Sequence, residues 1–252
     1  MSSGVTQRVG FLSEDERVVG VLHLPRHREV RETSIVITCH GLNSSKDSVK
    51  YLEIAEYFSS KGFAVLRFDF RGAGESEGTG NMLTDRIRDL NGAIGLAIER
   101  EFKSIGVLGS SFGGATAILT ASQTREINAV VTWSTPCLLK DLFKSMIRTV
   151  RDRRDSHSSE DEGSIKSFES SPFMEDLSKY DVVDAARKIS KILVIHSKRD
   201  QVVPWNQANM IYDYANEPKE FRFFEMGDHQ FLDQSIRKEA IELSYRWFSK
   251  YL

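Results

Sequence analysis

Short apolar runs recur along this chain with helix-length amphipathic segments between them, and that alternation most narrows how it can fold. Residues 35–39, 63–68 and 105–108 are each apolar almost throughout, while 51–60 and 84–101 between them repeat apolar positions at helical spacing. A strand with no polar face must be covered on both sides, which the helical connections of a parallel sheet accomplish. The rhythm continues with a helix over 113–122, strands at 129–133, 192–196 and 220–225, a helix at 206–214 and an amphipathic helix at 233–251. Ahead of it, strand-like pieces at 7–12 and 18–24 flank a charged turn at 13–17 and predict an N-terminal hairpin. The expected fold is α/β, with a mostly parallel central sheet flanked by helices, and 252 residues suffice for one such core.

One stretch breaks the pattern. Residues 138–190 hold no convincing strand and are too long for an ordinary connection, so they read as an inserted helical lid between core segments 1–137 and 191–252. Within it Leu139, Phe143, Met146, Ile147 and Val150 share one helical face and Lys140, Lys144, Arg148 and Arg151 another. The acidic, Ser-rich piece 158–164 reads as an exposed loop. Composition excludes several classes. With 34 Lys and Arg against 36 Asp and Glu the net charge is -2, which offers no field to hold a polyanion, so nucleic acid is not an expected partner. No run approaches the roughly 20 apolar residues that span a bilayer, and residues 1–10 lack the basic and apolar regions of a signal peptide. A cytoplasmic location is expected, with Cys39 and Cys137 as reduced core thiols at the ends of apolar runs.

The chemistry centres on Gly109-Ser-Ser-Phe-Gly113, a Gly-x-Ser-x-Gly set between an apolar strand and a helix. Only Ser111 fits the frame, because Leu108 and Phe112 would flank Ser110 where a sharp turn needs glycine. A serine hydroxyl is a poor nucleophile near neutral pH and needs a base and a group that orients the base. Asp200 follows the apolar run 192–196, and His229 follows the last predicted strand, so acid and base candidates both lie where a parallel sheet gathers its functional loops. Competing residues have plainer readings. Asp228 adjoins His229 and is poorly placed to hold its ring; His196 reads as a satisfied core histidine; His23 and His27, with Pro25 between them, and His157 read as surface residues. His40-Gly-Leu-Asn43 follows the strand 35–39, from which the Leu42 N–H could join that of Phe112 in an oxyanion hole. The loop 69–76, Asp-Phe-Arg-Gly-Ala-Gly-Glu-Ser, lacks the third glycine and the Lys-Ser/Thr pair of phosphate loops, and reads as a structural turn near the active-site mouth.

Taken together, His40-Gly, the 69–76 loop, the Ser111 elbow, Asp200 and His229 resemble an α/β-hydrolase-fold serine esterase, similar to the branch of feruloyl and cinnamoyl esterases and related short-chain carboxylesterases. The likeness spans nearly the whole chain outside the insert. It departs at Ser110, where members often carry His, and in a more charged lid than that of a lipase. The resemblance implies two-step acyl transfer by Ser111, His229 and Asp200 on a small-molecule ester, without metal or cofactor. A serine at the elbow argues against haloalkane dehalogenases and dienelactone hydrolases, which use Asp and Cys there. The basic residues Lys140, Lys144, Arg148, Arg151, Arg153 and Arg154 read as a solvated face, or alternatively as a site for the phosphates of an acyl-coenzyme A thioester. Serine peptidase activity and a catalytically silent binding fold stay open at this point, as do acyl chain length and oligomeric state.

Overall fold

The computed structural model describes residues 5–26, 28–79, 82–152 and 170–252, with backbone alone for 150–152. Its strands are β1 Val5–Ser13, β2 Glu16–Leu24, β3 Ile35–Cys39, β4 Ala64–Phe68, β5 Ile105–Ser110, β6 Ile127–Trp133, β7 Ile192–Ser197 and β8 Lys219–Phe224. They form one eight-stranded sheet in the order β1-β2-β4-β3-β5-β6-β7-β8. The N-terminal hairpin closes with Ser13 opposite Glu16, so only Glu14 and Asp15 turn the chain, and Glu14 takes the positive φ of 55° that tight hairpin turns demand. β2 is antiparallel to both its neighbours, and every pairing from β4 to β8 is parallel. The result is the α/β-hydrolase fold.

The helices are α1 Val49–Ser60, α2 Leu83–Glu99, α3 Phe112–Ala121, α4 Leu139–Asp152, α5 Pro172–Leu177, α6 Val182–Ala186, α7 Trp205–Tyr214 and α8 Gln234–Tyr251. Successive strand residues point to opposite faces, so alternate positions of the apolar runs build two separate cores. Val36, Val65, Leu108, Val131 and Leu193 pack against Tyr51, Ile54 and Phe58 of α1 and Ile241 and Phe248 of α8. Ile37, Leu66, Val107, Val130 and Val194 lie on the other face with Ile87 and Leu90 of α2, Ile118 of α3 and Ile211 of α7. Each such side chain contributes about 1.5–3 kcal/mol on full burial.

Strand order decides where a site can form. β3 lies between β4 and β5, so connections leave this point toward opposite sides and open a crevice at the carboxyl ends of β3 and β5. Segment 138–190 contributes to the main core from both its ends, with Leu139 of α4 in the same cluster. Met174, Leu177, Val182, Ala185, Ala186 and Ile189 belong to the same buried cluster as α2 and α3, and Asp176 accepts hydrogen bonds from the backbone N–H and hydroxyl of Thr84. The 158–164 piece, Arg153, Arg154 and His157 lie outside the described residues, as does His27.

The 69–76 loop is a structural strap, and its Phe70 N–H bonds His40, the neighbour of the cleft residue Gly41. Buried Asp69 accepts from the Lys46 backbone N–H at 2.7 Å, Lys46 Nζ at 2.8 Å and the Glu75 N–H at 3.1 Å. Ser76 accepts the Val19 N–H, and Arg71 binds the buried Asp89 carboxylate at 2.7 and 2.9 Å, so the loop ties β4 to the hairpin and to α2. Its second glycine is sterically required: at Gly74, with φ of 53°, a Cβ would lie 2.1 Å from Asp69 Oδ2.

Candidate active site

β5 ends at Ser110 and α3 begins at Phe112, one residue earlier than the sequence suggests, leaving Ser111 alone in the turn. Ser111 has φ 54° and ψ -126°, a conformation that costs roughly 1–3 kcal/mol in a non-glycine residue. Close packing holds it there. A Cβ on Gly109 would lie 2.3 Å from Gly113 O, and one on Gly113 would lie 2.1 Å from Cys39 O. The glycines on either side of the serine therefore let strand, helix and the end of β3 meet without intervening atoms.

Ser111 Oγ lies 3.0 Å from His229 Nε2, and His229 Nδ1 lies 2.8 and 3.0 Å from the two oxygens of Asp200. Burial of the Asp200 carboxyl opposes its charge, but hydrogen bonds from His229 and the Val203 N–H outweigh it and hold the carboxyl below its ordinary range. An ionised carboxylate only accepts, so Nδ1 carries the ring proton and Nε2 is left to accept from the Ser111 hydroxyl. The Val202 and Val203 N–H groups reach Asp200 Oδ1 at 2.9 and 2.8 Å and fix its plane. The histidine loop is anchored from α8: Arg237 donates to the carbonyls of Phe231 and Leu232 at 2.9 and 2.8 Å, and holds the Glu53 carboxylate with two bonds of 2.8 Å. Asp228 shapes the same loop by accepting the Gln230 N–H at 2.7 Å.

His40 organises the loop after β3. Its Nε2 accepts the Phe70 N–H at 3.1 Å, so Nδ1–H donates to Gly41 O at 2.8 Å, and burial pushes its pKa down to about 3, which keeps it neutral. Buried Arg86 donates to His40 O and lays its guanidinium 3.7 Å from the Phe70 ring centre. Gly41 lies so near the elbow that a Cβ there would come 3.3 Å from Ser111 Cβ. Leu42 and Phe112 both line the cleft beside Ser111, and the Phe112 N–H, in the first turn of α3, has no intrahelical acceptor.

The cleft has a volume of about 200 Å³; Pro136, Val202 and the α4 residues Leu142, Phe143 and Met146 are its apolar lining, and Asn43, Ser44, Lys50, Ser110 and Gln230 its polar lining. None of Lys140, Lys144 and Arg148 lines it: Lys140 and Arg148 are exposed, Lys144 is half-buried, and the Arg151 side chain lies outside the described residues. Leu142 joins the apolar face alongside the residues expected there. Lys50 and Arg86 went unnoticed in the sequence, although each shares a helical stripe with apolar residues, Lys50 with Ile54 and Arg86 with Leu83 and Leu90, a pattern that signals a buried charge.

Of the other histidines, His196 borders Asp200, its Nε2 3.5 Å from Asp200 Oδ2, while His23 and both cysteines lie apart from the three residues. His23, expected at the surface, is half-buried and accepts from Arg67 Nε at 3.1 Å; burial and that guanidinium lower its pKa to about 4. His196 is fully buried, with Nε2 3.0 Å from Val203 O, but its Nδ1 has no partner among the described residues, so it is only half satisfied. Cys39 and Cys137 are buried free thiols pushed up to about 12 by burial, which removes them as nucleophiles. Among the described residues no helix is long and apolar enough to cross a membrane.

A serine on a strand-to-helix elbow, with histidine and carboxylate at the carboxyl edge of a largely parallel sheet, defines a serine hydrolase of the α/β-hydrolase fold. Residues 31–164 match the family described as serine aminopeptidase, S33, and the chain belongs to that hydrolase family. It is 24% identical over 230 residues to the uncharacterized protein YfhR of Escherichia coli O157:H7, covering 88% of this chain and 73% of the relative. It is 31% identical over 143 residues to the quorum-quenching protein AidA of Acinetobacter baumannii, covering 54% and 45% respectively. The solved esterase Pf2001 of Pyrococcus furiosus superposes with a TM-score of 0.77 at 23% identity, over 98% of this chain and 92% of that one. Est1E of Butyrivibrio proteoclasticus, solved with ferulic acid bound, gives 0.75 at 15% identity, over 96% and 99%. At these identities the structural likeness shows the fold.

Proposed function

We propose that the protein is a serine carboxylesterase that hydrolyses short- to medium-chain acyl esters of small molecules in the cytoplasm. The observation that carries this reading is the continuous hydrogen-bonded path from Ser111 Oγ through His229 to the buried Asp200, with each link at 2.8–3.0 Å. In this mechanism Ser111 attacks the ester carbonyl while His229 Nε2 takes its proton and Asp200 stabilises the imidazolium. The Leu42 and Phe112 N–H groups receive the oxyanion, and removing one such donor typically lowers kcat by roughly a hundred- to a thousandfold. Collapse expels the alcohol, which leaves with the proton from His229. Water, deprotonated by His229, then releases the acid from the acyl-enzyme. Helix α4 serves as the lid element over the acyl chain, which suits the apolar lining that Leu142, Phe143 and Met146 supply. That esterases stand among the fold's solved relatives, one of them holding ferulic acid, accords with a carboxylic ester as substrate.

Two alternatives fit less well. An acyl-coenzyme A thioesterase would use the α4 cations for its phosphates, yet Lys140, Lys144 and Arg148 lie off the cleft. An aminopeptidase needs a carboxylate to anchor the substrate's terminal ammonium, whereas the polar lining carries the cation Lys50. The test is turnover of a chain-length series of p-nitrophenyl esters, an acyl-coenzyme A and an aminoacyl anilide by wild type and Ser111→Ala, together with fluorophosphonate labelling. Ester turnover and labelling that both vanish in Ser111→Ala are expected. Turnover of the thioester or anilide alone, or no labelling of wild type, overturns the reading.

A further inference from the structure

Acyl transfer makes no use of Lys50, although it is among the most buried charges in the molecule and lines the cleft. It lies in the first turn of α1, 6% exposed, and donates to Ser110 Oγ at 2.8 Å. Ser110 immediately precedes the nucleophile and lines the same cleft. The chain shows how it accommodates a buried lysine that is purely structural. Lys46, also nearly inaccessible, is surrounded by Asp69, Glu75 and Asp47 at 2.8, 2.7 and 3.0 Å. Lys50 has no carboxylate within ion-pair distance among the described residues, and Ser110 takes only one of its three ammonium donors. A buried cation left this way is unfavourable unless something completes it. The open side is the cleft, whose lining also carries the amide groups of Asn43 and Gln230.

We propose that Lys50 and Ser110 form an anion subsite that holds a carboxylate of the substrate, so that the preferred ester carries a free carboxylate a few atoms from its scissile carbonyl. This rests on the esterase reading and deepens it. One ammonium, one hydroxyl and nearby amides in a cleft of about 200 Å³ suit a planar, singly charged group. The apolar lining supplied by Leu142, Phe143 and Met146 takes the rest of the molecule. Burial lowers the Lys50 pKa to about 8 while Asp228 and Asp200 oppose that shift, so the ammonium is charged near neutral pH.

The test compares kcat/KM for matched esters: the p-nitrophenyl ester of a short dicarboxylic acid with its far carboxyl free or methyl-capped, and the acetyl ester of a hydroxybenzoate against that of the hydroxybenzamide. Wild type should favour the anionic member of one pair at least tenfold, and Lys50→Met should reduce that ratio at least tenfold. A wild-type ratio near one in both pairs overturns the subsite, as does a variant that slows both members equally, the signature of a brace for Ser110. A second measurement needs no variant: the wild-type ratio should fall as pH rises from 7 through 9.5. The groups facing Lys50 are Ser110 from β5, Tyr51 from its own helix, His40 from the loop after β3, which stays neutral above its lowered pKa of about 3, Asp200 from the loop after β7, and Asp228 and His229 from the loop after β8. The acyl-transfer step is common to both members of a pair and cancels in the ratio, and burial raises Tyr51 out of range. A ratio constant over that interval refutes the proposal. If wild type labels with a fluorophosphonate at Ser111 but turns over neutral esters only, the subsite fails alone; without labelling or turnover, the esterase reading fails with it.

Discussion

Replacing Lys50 with methionine should stabilise the fold at neutral pH. Burial lowers the Lys50 pKa from 10.5 to about 8. At 1.36 kcal/mol per pH unit, the folded state therefore disfavours the charged lysine by about 3 kcal/mol. Methionine has similar length and no charge, and it forgoes the bond to Ser110, a loss of about 1 kcal/mol. The net gain is about 2 kcal/mol, which in a chain of this size raises Tm by about 4–8 °C. The pH dependence follows from the direction of the shift. Below pH 8 the lysine is charged in the folded and the unfolded chain, and the whole burial penalty is present. Between pH 8 and 10.5 the folded chain loses the proton first and the penalty fades; above 10.5 the group is neutral in both states and the penalty is gone. Thermal and urea unfolding of wild type and Lys50→Met at constant ionic strength, from pH 7 to 10.5, should show the variant's advantage shrinking and then reversing as the pH approaches 10.5. A variant less stable at pH 7, or a gap that stays constant to pH 10.5, would refute the reasoning. A confirmed gain would mean that the wild-type chain forgoes stability to keep a cation in its cleft, as functional groups commonly require.

Asp200→Asn should lower kcat by roughly four orders of magnitude with little change in KM, because the amide favours the wrong tautomer of His229; steady-state kinetics on a p-nitrophenyl ester measure it. Arg237→Ala should free the loop carrying His229 and lower kcat roughly ten- to a hundredfold more than it changes KM, with partial rescue by Arg237→Lys. Gly113→Ala places a Cβ 2.1 Å from Cys39 O, a contact that cannot relax without moving β3 or α3. It should destabilise by about 3 kcal/mol or more, read as a lower urea midpoint.

Local demands were legible in the sequence. Gly109 and Gly113 around Ser111 declare a turn too tight for side chains, and the apolar runs declare strands covered on both faces, because both signals depend on near neighbours in the chain. The order in which Ser111, Asp200 and His229 follow their strands also picks out three residues that the fold brings within hydrogen-bond reach. Only the tertiary structure decided which segments would face one another. The strap 69–76 turned toward the hairpin because β2 pairs with β4, and the 138–190 segment entered the main core through Leu139, Met174, Leu177 and Val182. Lys50 meets Ser110, 60 positions away, only because β3 lies between β4 and β5 and α1 packs on the face toward which Ser110 points. Periodicity marks a residue as buried without naming its neighbours. Steric and solvation preferences act along a few residues of chain, whereas the charge and shape of a cleft arise from strand order, which those preferences do not encode.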